Sequence, residues 1–126
     1  MARRIKITAG DASAEATLLD TPTANAIWDA LPIEGSASTW GDEIYFGIPV
    51  DAEREADARA DVEVGELGYW LDGKCFCIFY GRTPASSGDE PRAASPVNVF
   101  GKIDGDATVF KGAGHGTKVT IEKLEE

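Results

Sequence analysis

The sequence predicts a mainly β chain whose sheet closes into a small barrel, and three observations predict it. Alternating apolar and polar runs, separated by Gly, Asp and Pro turn residues, recur about every 8 to 12 residues. Only one stretch carries helical spacing. The first and last alternating runs can pair with each other, which removes exposed sheet edges. A chain of 126 residues suits one core, so residues 1–126 read as a single domain.

Residues 3 to 8, Arg-Arg-Ile-Lys-Ile-Thr, alternate and read as a strand. Ala9, Gly10 and Asp11 turn the chain, and Ala14 to Leu19 return as the second arm of a hairpin. Thr21 is placed to cap a helix and Pro22 suits its first turn. Ala24 to Leu31 carry that helix, with Ile27, Trp28 and Leu31 on its buried face, and Pro32 ends it. Ser36 to Val50 is mostly strand, with Gly41 allowing a bend or bulge. Residues 51 to 66 hold seven acidic and two basic side chains and read as a solvated loop and strand edge. Val64 to Tyr69 reads as a strand or turn ending in Tyr69-Trp70, and Asp72-Gly73 marks a hairpin turn. Cys75 to Tyr80 is a continuous apolar run, expected as a strand buried on both faces. Gly81 to Pro91 is a polar loop, expected to be the most mobile segment. Ser95 to Ile103 is a further strand, and Val109 to Lys111 a short strand or single helical turn. Lys118 to Leu124 alternates again and completes the sheet.

Composition narrows the function. Twelve basic against twenty-two acidic residues give a net charge of −10. Sequence-independent nucleic-acid binding rests on Lys and Arg neutralising phosphates, and anionic membranes also select basic surfaces, so neither partner is expected. No apolar run approaches the roughly 18 to 20 residues of a membrane-spanning helix. Met1 to Ile7 is basic but leads into alternation, not into a signal core, so the expected compartment is the cytoplasm. Cys75 and Cys77, two apart in a strand, would form a badly strained disulfide and read as reduced thiols. A zinc site wants about four ligands, and the sole histidine is His115 in a Gly-rich loop, so no metal is expected. The run Gly112-Ala113-Gly114-His115-Gly116 lacks the P-loop lysine and following helix, and no cofactor is expected. Ser95 and His115 show no nucleophile-elbow context, which argues against a Ser-His hydrolase.

The last third of the chain carries a resemblance. Val97-Asn98-Val99-Phe100-Gly101-Lys102-Ile103, then Asp104-Gly105, a Gly-rich loop and Val119-Thr120-Ile121, resembles the V-V-F-G-K-V-x-x-G…I-x-I ending of cyclophilins. Cys75 to Phe79 looks like their S-Q-F-F-I strand, and Thr21-Pro22-Thr23-Ala24 like the P-K-T-A helix start. The stretches Thr39 to Phe46, Gly65 to Lys74, Phe79 to Pro84 and Ser95 to Val99 resemble, in order, small prokaryotic cyclophilin-like proteins of unknown function. The resemblance implies a closed eight-stranded β-barrel with one or two capping helices. In true cyclophilins it also implies peptidyl-prolyl isomerase activity. The catalytic arginine of that family belongs to an F-H-R-I-I-P stretch, which aligns with Thr39 to Pro49, and no arginine occurs there. Its M-x-Q-G-G-D glutamine has no counterpart, Val97 stands at its histidine, and its tryptophan is missing from Arg92 to Pro96. Only the hydrophobic wall, around Phe79 or Phe76, persists. Arg82 and Arg92 are the two arginines near enough in sequence to reach inward.

At that site the chain supplies aromatic surface from Trp40, Tyr45, Tyr69 and Trp70, a wall at Phe79, and polar groups from Glu43, Ser95 and Asn98. Aromatic walls with a few polar anchors suit a small-molecule pocket, and core packing is the competing role for each ring. Glu43 lies between Gly41 and an apolar run, where desolvation would raise its pKa and prepare it for acid-base work; a strand residue facing water is its competing role, as a hydrogen bond at the barrel rim is for Asn98. The expected function is binding of a small molecule or short peptide without the arginine's chemistry; the alternative is a weak or atypical prolyl isomerase.

Overall fold

The computed structural model describes residues 3–124; Met1 and Ala2 of the basic N-terminal run lie outside them, as do Glu125 and Glu126. Strands β1 (Arg4–Ala9) and β2 (Ala12–Leu18) form the expected hairpin, with Gly10 at its turn. Helix α1 (Pro22–Ala30) begins as its sequence predicts: the Thr21 side chain accepts from Ala24 N–H at 3.1 Å. Strands β3 (Ile33–Ser36), β4 (Ser38–Thr39), β5 (Glu43–Gly47), β6 (Arg59–Asp61), β7 (Glu66–Trp70) and β8 (Cys75–Phe79) follow. Strand β9 (Arg92–Ile103) is twelve residues long, begins earlier than its pattern indicates, and pairs with β6, β2 and β7. A 3-10 helix (Ala107–Gly112) occupies the place of the expected short strand or helical turn, and β10 (Lys118–Lys123) is the final strand.

All ladders are antiparallel, and the sheet runs β3-β10-β1-β2-β9-β7-β8-β5-β4, with β6 alongside β9. First and last strands do pair, Ile7 opposite Ile121. The closed eight-stranded barrel, however, is corrected on two counts: the sheet has ten strands, and it stays open. Its ends, β3 and β4, are consecutive in the chain and separated by Ala37. The Ala37 N–H donates to Thr117 O at 2.8 Å and its carbonyl accepts from Gly116 N–H at 2.7 Å. Both ladder groups at the junction are therefore engaged by the turn before β10. The two shortest strands, β4 and β6, bring the count to ten.

The sheet buries both faces over β5, β7, β8 and β9. One face holds the main core, including Ile5, Ile7, Ile27, Ile44, Phe46 and Phe100. The other holds a smaller cluster of Val62, Cys75, Cys77, Phe79, Ala93 and Val97, against which Tyr45, Trp70 and Val99 pack. Strand β8 is buried at all five positions, as its unbroken apolar run predicts. Among the described residues no helix is long and apolar enough to cross a membrane.

Candidate functional site

The smaller cluster opens into a cavity of about 210 Å³, lined by Trp40, Glu43, Tyr45, Trp70, Cys77, Ala93, Ala94 and Val97. The β4–β5 turn supplies its rim. Trp40 N–H donates to Glu43 O at 3.0 Å, and Gly41 takes φ +61° between them. A Cβ at Gly41 would stand 2.8 Å from Arg82 O and 2.9 Å from Pro84 Cδ. Glycine thus serves both the turn and its close contact with the 82–84 loop. That loop is more tightly fastened than its composition suggests. Thr83 is buried, its hydroxyl donates to Arg92 O, and Asp42 N–H donates to Arg82 O at 2.8 Å.

Strand alternation decides which candidates meet. Glu43 and Tyr45 share one face of β5, and Tyr45 is paired with Cys77 of β8. Trp70 of β7 is paired with Val97 of β9 on that same face. Tyr45 and Trp70 meet edge to face at 6.4 Å and 74°. Ser95 stands beside the cavity and accepts from Trp70 Nε1 at 2.7 Å, which holds the indole in place. Phe79 lies in the same layer, fully buried beneath the lining.

Tyr69 and Asn98 lie away from the cavity. They pair with each other across β7 and β9, one residue out of phase with Trp70 and Val97. Adjacent strand residues face opposite ways, so Tyr69 and Trp70 do not line one pocket together. The Tyr69 hydroxyl donates to Val50 O at 2.6 Å within the main core. Asn98 fastens the acidic segment. Its amide NH₂ donates to Glu53 O at 2.8 Å and Thr23 Oγ1 at 3.0 Å, and its carbonyl accepts from Glu55 N–H at 2.9 Å. Glu55 in turn accepts from Thr23 N–H at 3.1 Å, a carboxylate at the start of α1. Residues 53–55 are thus tied down, where charge alone reads as solvated loop. Cys77, Ala93, Ala94 and Val97 line the cavity without any local signal that marks them as site residues. Cys77 comes beside Tyr45 only through the β5–β8 register.

Among the described residues, Glu43 is the one charged residue lining the cavity. It is 6% exposed, and burial pushes its pKa from 4.5 up to about 7. The neighbouring Cys77 thiol works against that shift, and its own pKa is driven well above the usual range by burial and by Glu43. Among the described residues, no lysine, arginine or histidine forms an ion pair with Glu43. Neither do three or more His, Cys, Asp or Glu side chains converge there as a metal site.

Residues 3–122 match the family described as Cyclophilin-like. The chain belongs to the cyclophilin-like family. The hypothetical protein AF2241 from Archaeoglobus fulgidus, solved in solution, is 41% identical, with a TM-score of 0.82 over 98% of this chain and 95% of that one. McbB, solved in complex with tryptophan, shares the fold at 15% identity and a TM-score of 0.69, over 97% of this chain and 45% of McbB. No curated protein matches the chain. Within this cyclophilin-like fold neither nearby arginine lines the cavity. Arg92 pairs with Asp61 at 2.8 Å, and the Arg82 side chain is exposed.

Proposed function

We propose that this cyclophilin-like protein binds a small molecule, or one side chain of a short peptide, in the cavity between Trp40, Tyr45 and Trp70. The observation that carries the reading is the cavity's lining: three aromatic rings and small apolar groups around a single buried carboxyl. Concave, mostly apolar sites with few polar groups are the usual form of small-ligand sites. The volume of about 210 Å³ suits one ring or one branched alkyl group. The two buried free cysteines suit a reducing compartment, and we assign the chain to the cytoplasm of a prokaryote, in keeping with its archaeal relative.

Family membership favours a second reading, a weak or atypical prolyl isomerase. Isomerisation must lower a barrier of about 18–20 kcal/mol by stabilising a twisted amide. The cavity has Glu43 but no guanidinium to aim at that amide. A peptide panel of X-Pro bonds, run beside a true cyclophilin, separates the two readings. Binding alone predicts background rates; clear acceleration favours the isomerase. A fragment screen by thermal shift completes the test. Hits should stabilise the parent chain by mass action and lose that effect in Trp70→Ala. Equal shifts in the variant would remove the cavity from the account.

A further inference from the structure

Resting on the binding reading above, we infer that the ligand is an organic ammonium ion, its charge held between the aromatic rings and the Glu43 carboxylate and its alkyl part against Ala93, Ala94 and Val97. Three features of the lining point there. Glu43 is buried without an ion-pair partner among the described residues, so the cavity has a negative group and lacks its counter-charge. An isolated buried carboxylate is costly, and an incoming cation removes that cost. Around it stand Trp40, Tyr45 and Trp70, and tryptophan and tyrosine faces attract cations, most strongly where water is excluded. The lining also offers little to an anion. It contains no lysine, arginine or histidine, and the Trp70 N–H is already given to Ser95. The net charge of −10 adds a field that draws cations and repels anions.

The ionisable groups around Glu43 come from its own strand and turn and from β8: Tyr45 shares its face, Asp42 precedes it, and Cys75, Cys77 and Tyr80 lie close enough to feel its charge. Cys77 and Cys75 on β8, and Tyr80 just beyond, all have pKa values raised above their ordinary ranges, in each case first by burial. Asp42, on the same turn as Glu43, has Lys111 at 3.8 Å. A permanently charged ligand has no titration of its own, so the change in its affinity around pH 7 follows the Glu43 carboxyl.

The probes are choline and its neutral isostere 3,3-dimethyl-1-butanol, titrated into the ¹⁵N-labelled protein while the three tryptophan indole signals are followed. Trp40 and Trp70 line the cavity, and Trp28, under Arg3 and Lys123, is the internal reference. At pH 8 choline should move the Trp40 and Trp70 signals, with at least about tenfold tighter binding than the alcohol. Its affinity should fall roughly tenfold per pH unit once the pH drops below Glu43's pKa of about 7. Glu43→Gln, checked for an unchanged indole spectrum, should lose the preference for the cation. Equal or tighter binding of the alcohol overturns the inference and leaves the cavity as a neutral-ligand site. A Glu43→Gln variant that keeps the preference also overturns it. If neither probe moves Trp40 or Trp70, the inference fails, while the binding reading stands or falls separately on the fragment screen with Trp70→Ala.

Discussion

Replacing Glu43 with glutamine should change how the protein's stability depends on pH, in a direction opposite to that of most carboxylates. Burial raises the pKa of Glu43 from 4.5 to about 7, so the native state holds the proton more tightly than the unfolded chain. The stability this gives is fully present below pH 4.5 and is lost as the pH rises towards 7. With about 1.36 kcal/mol for each tenfold change in proton affinity, the loss is roughly 3 kcal/mol. The amide introduced by Glu43→Gln has no proton to lose, so the variant lacks this component while keeping the shape. Urea denaturation of both proteins at pH 5, 6, 7 and 8 measures it. The difference in unfolding free energy, variant minus parent, should rise by about 2–3 kcal/mol from pH 5 to pH 8. Every other titrating group cancels in that difference. Parallel profiles would show that Glu43 ionises as it does in water, and the reasoning from its burial would fail.

Three further substitutions test the scaffold around the site. Asn98→Ala strips the partners from Glu55 N–H, Glu53 O and Thr23 Oγ1; it should cost about 3 kcal/mol in urea unfolding and expose residues 51–58 to limited proteolysis. Gly41→Ala puts a methyl into backbone at 2.8 Å from Arg82 O, at φ +61°; a loss of about 2 kcal/mol and a shifted Trp40 indole signal are expected. Ser95→Ala removes the acceptor of the Trp70 N–H; about 1 kcal/mol of stability should go, and the Trp70 signal should broaden or move while Trp28 stays.

The sequence disclosed those parts of the fold whose signals are local. The Thr21-Pro22 helix start, the apolar run from Cys75 and the turn at Gly41 each carry their own chemistry, and the structure places them as read. Trp40, Glu43, Tyr45 and Trp70, all named from sequence, do line one cavity. What the sequence withheld depends on register and on distant partners. Tyr69 and Asn98 both look like site residues in sequence, yet one step in strand phase turns them to the other face. The role of Asn98 is visible only once residues 53–55 are known to cross it. The sheet likewise ends on either side of Ala37, whose backbone bonds to Gly116 and Thr117, far along the chain, which no window around Ala37 reveals.

The most direct test of the central claim is a crystallographic fragment soak with small aromatic and ammonium compounds. The account predicts that they collect between Trp40, Tyr45 and Trp70, within contact of Glu43. Fragments gathering instead in the more polar hollow of about 560 Å³ between Ala9–Ser13 and Thr117, with the aromatic cavity left empty, would contradict it.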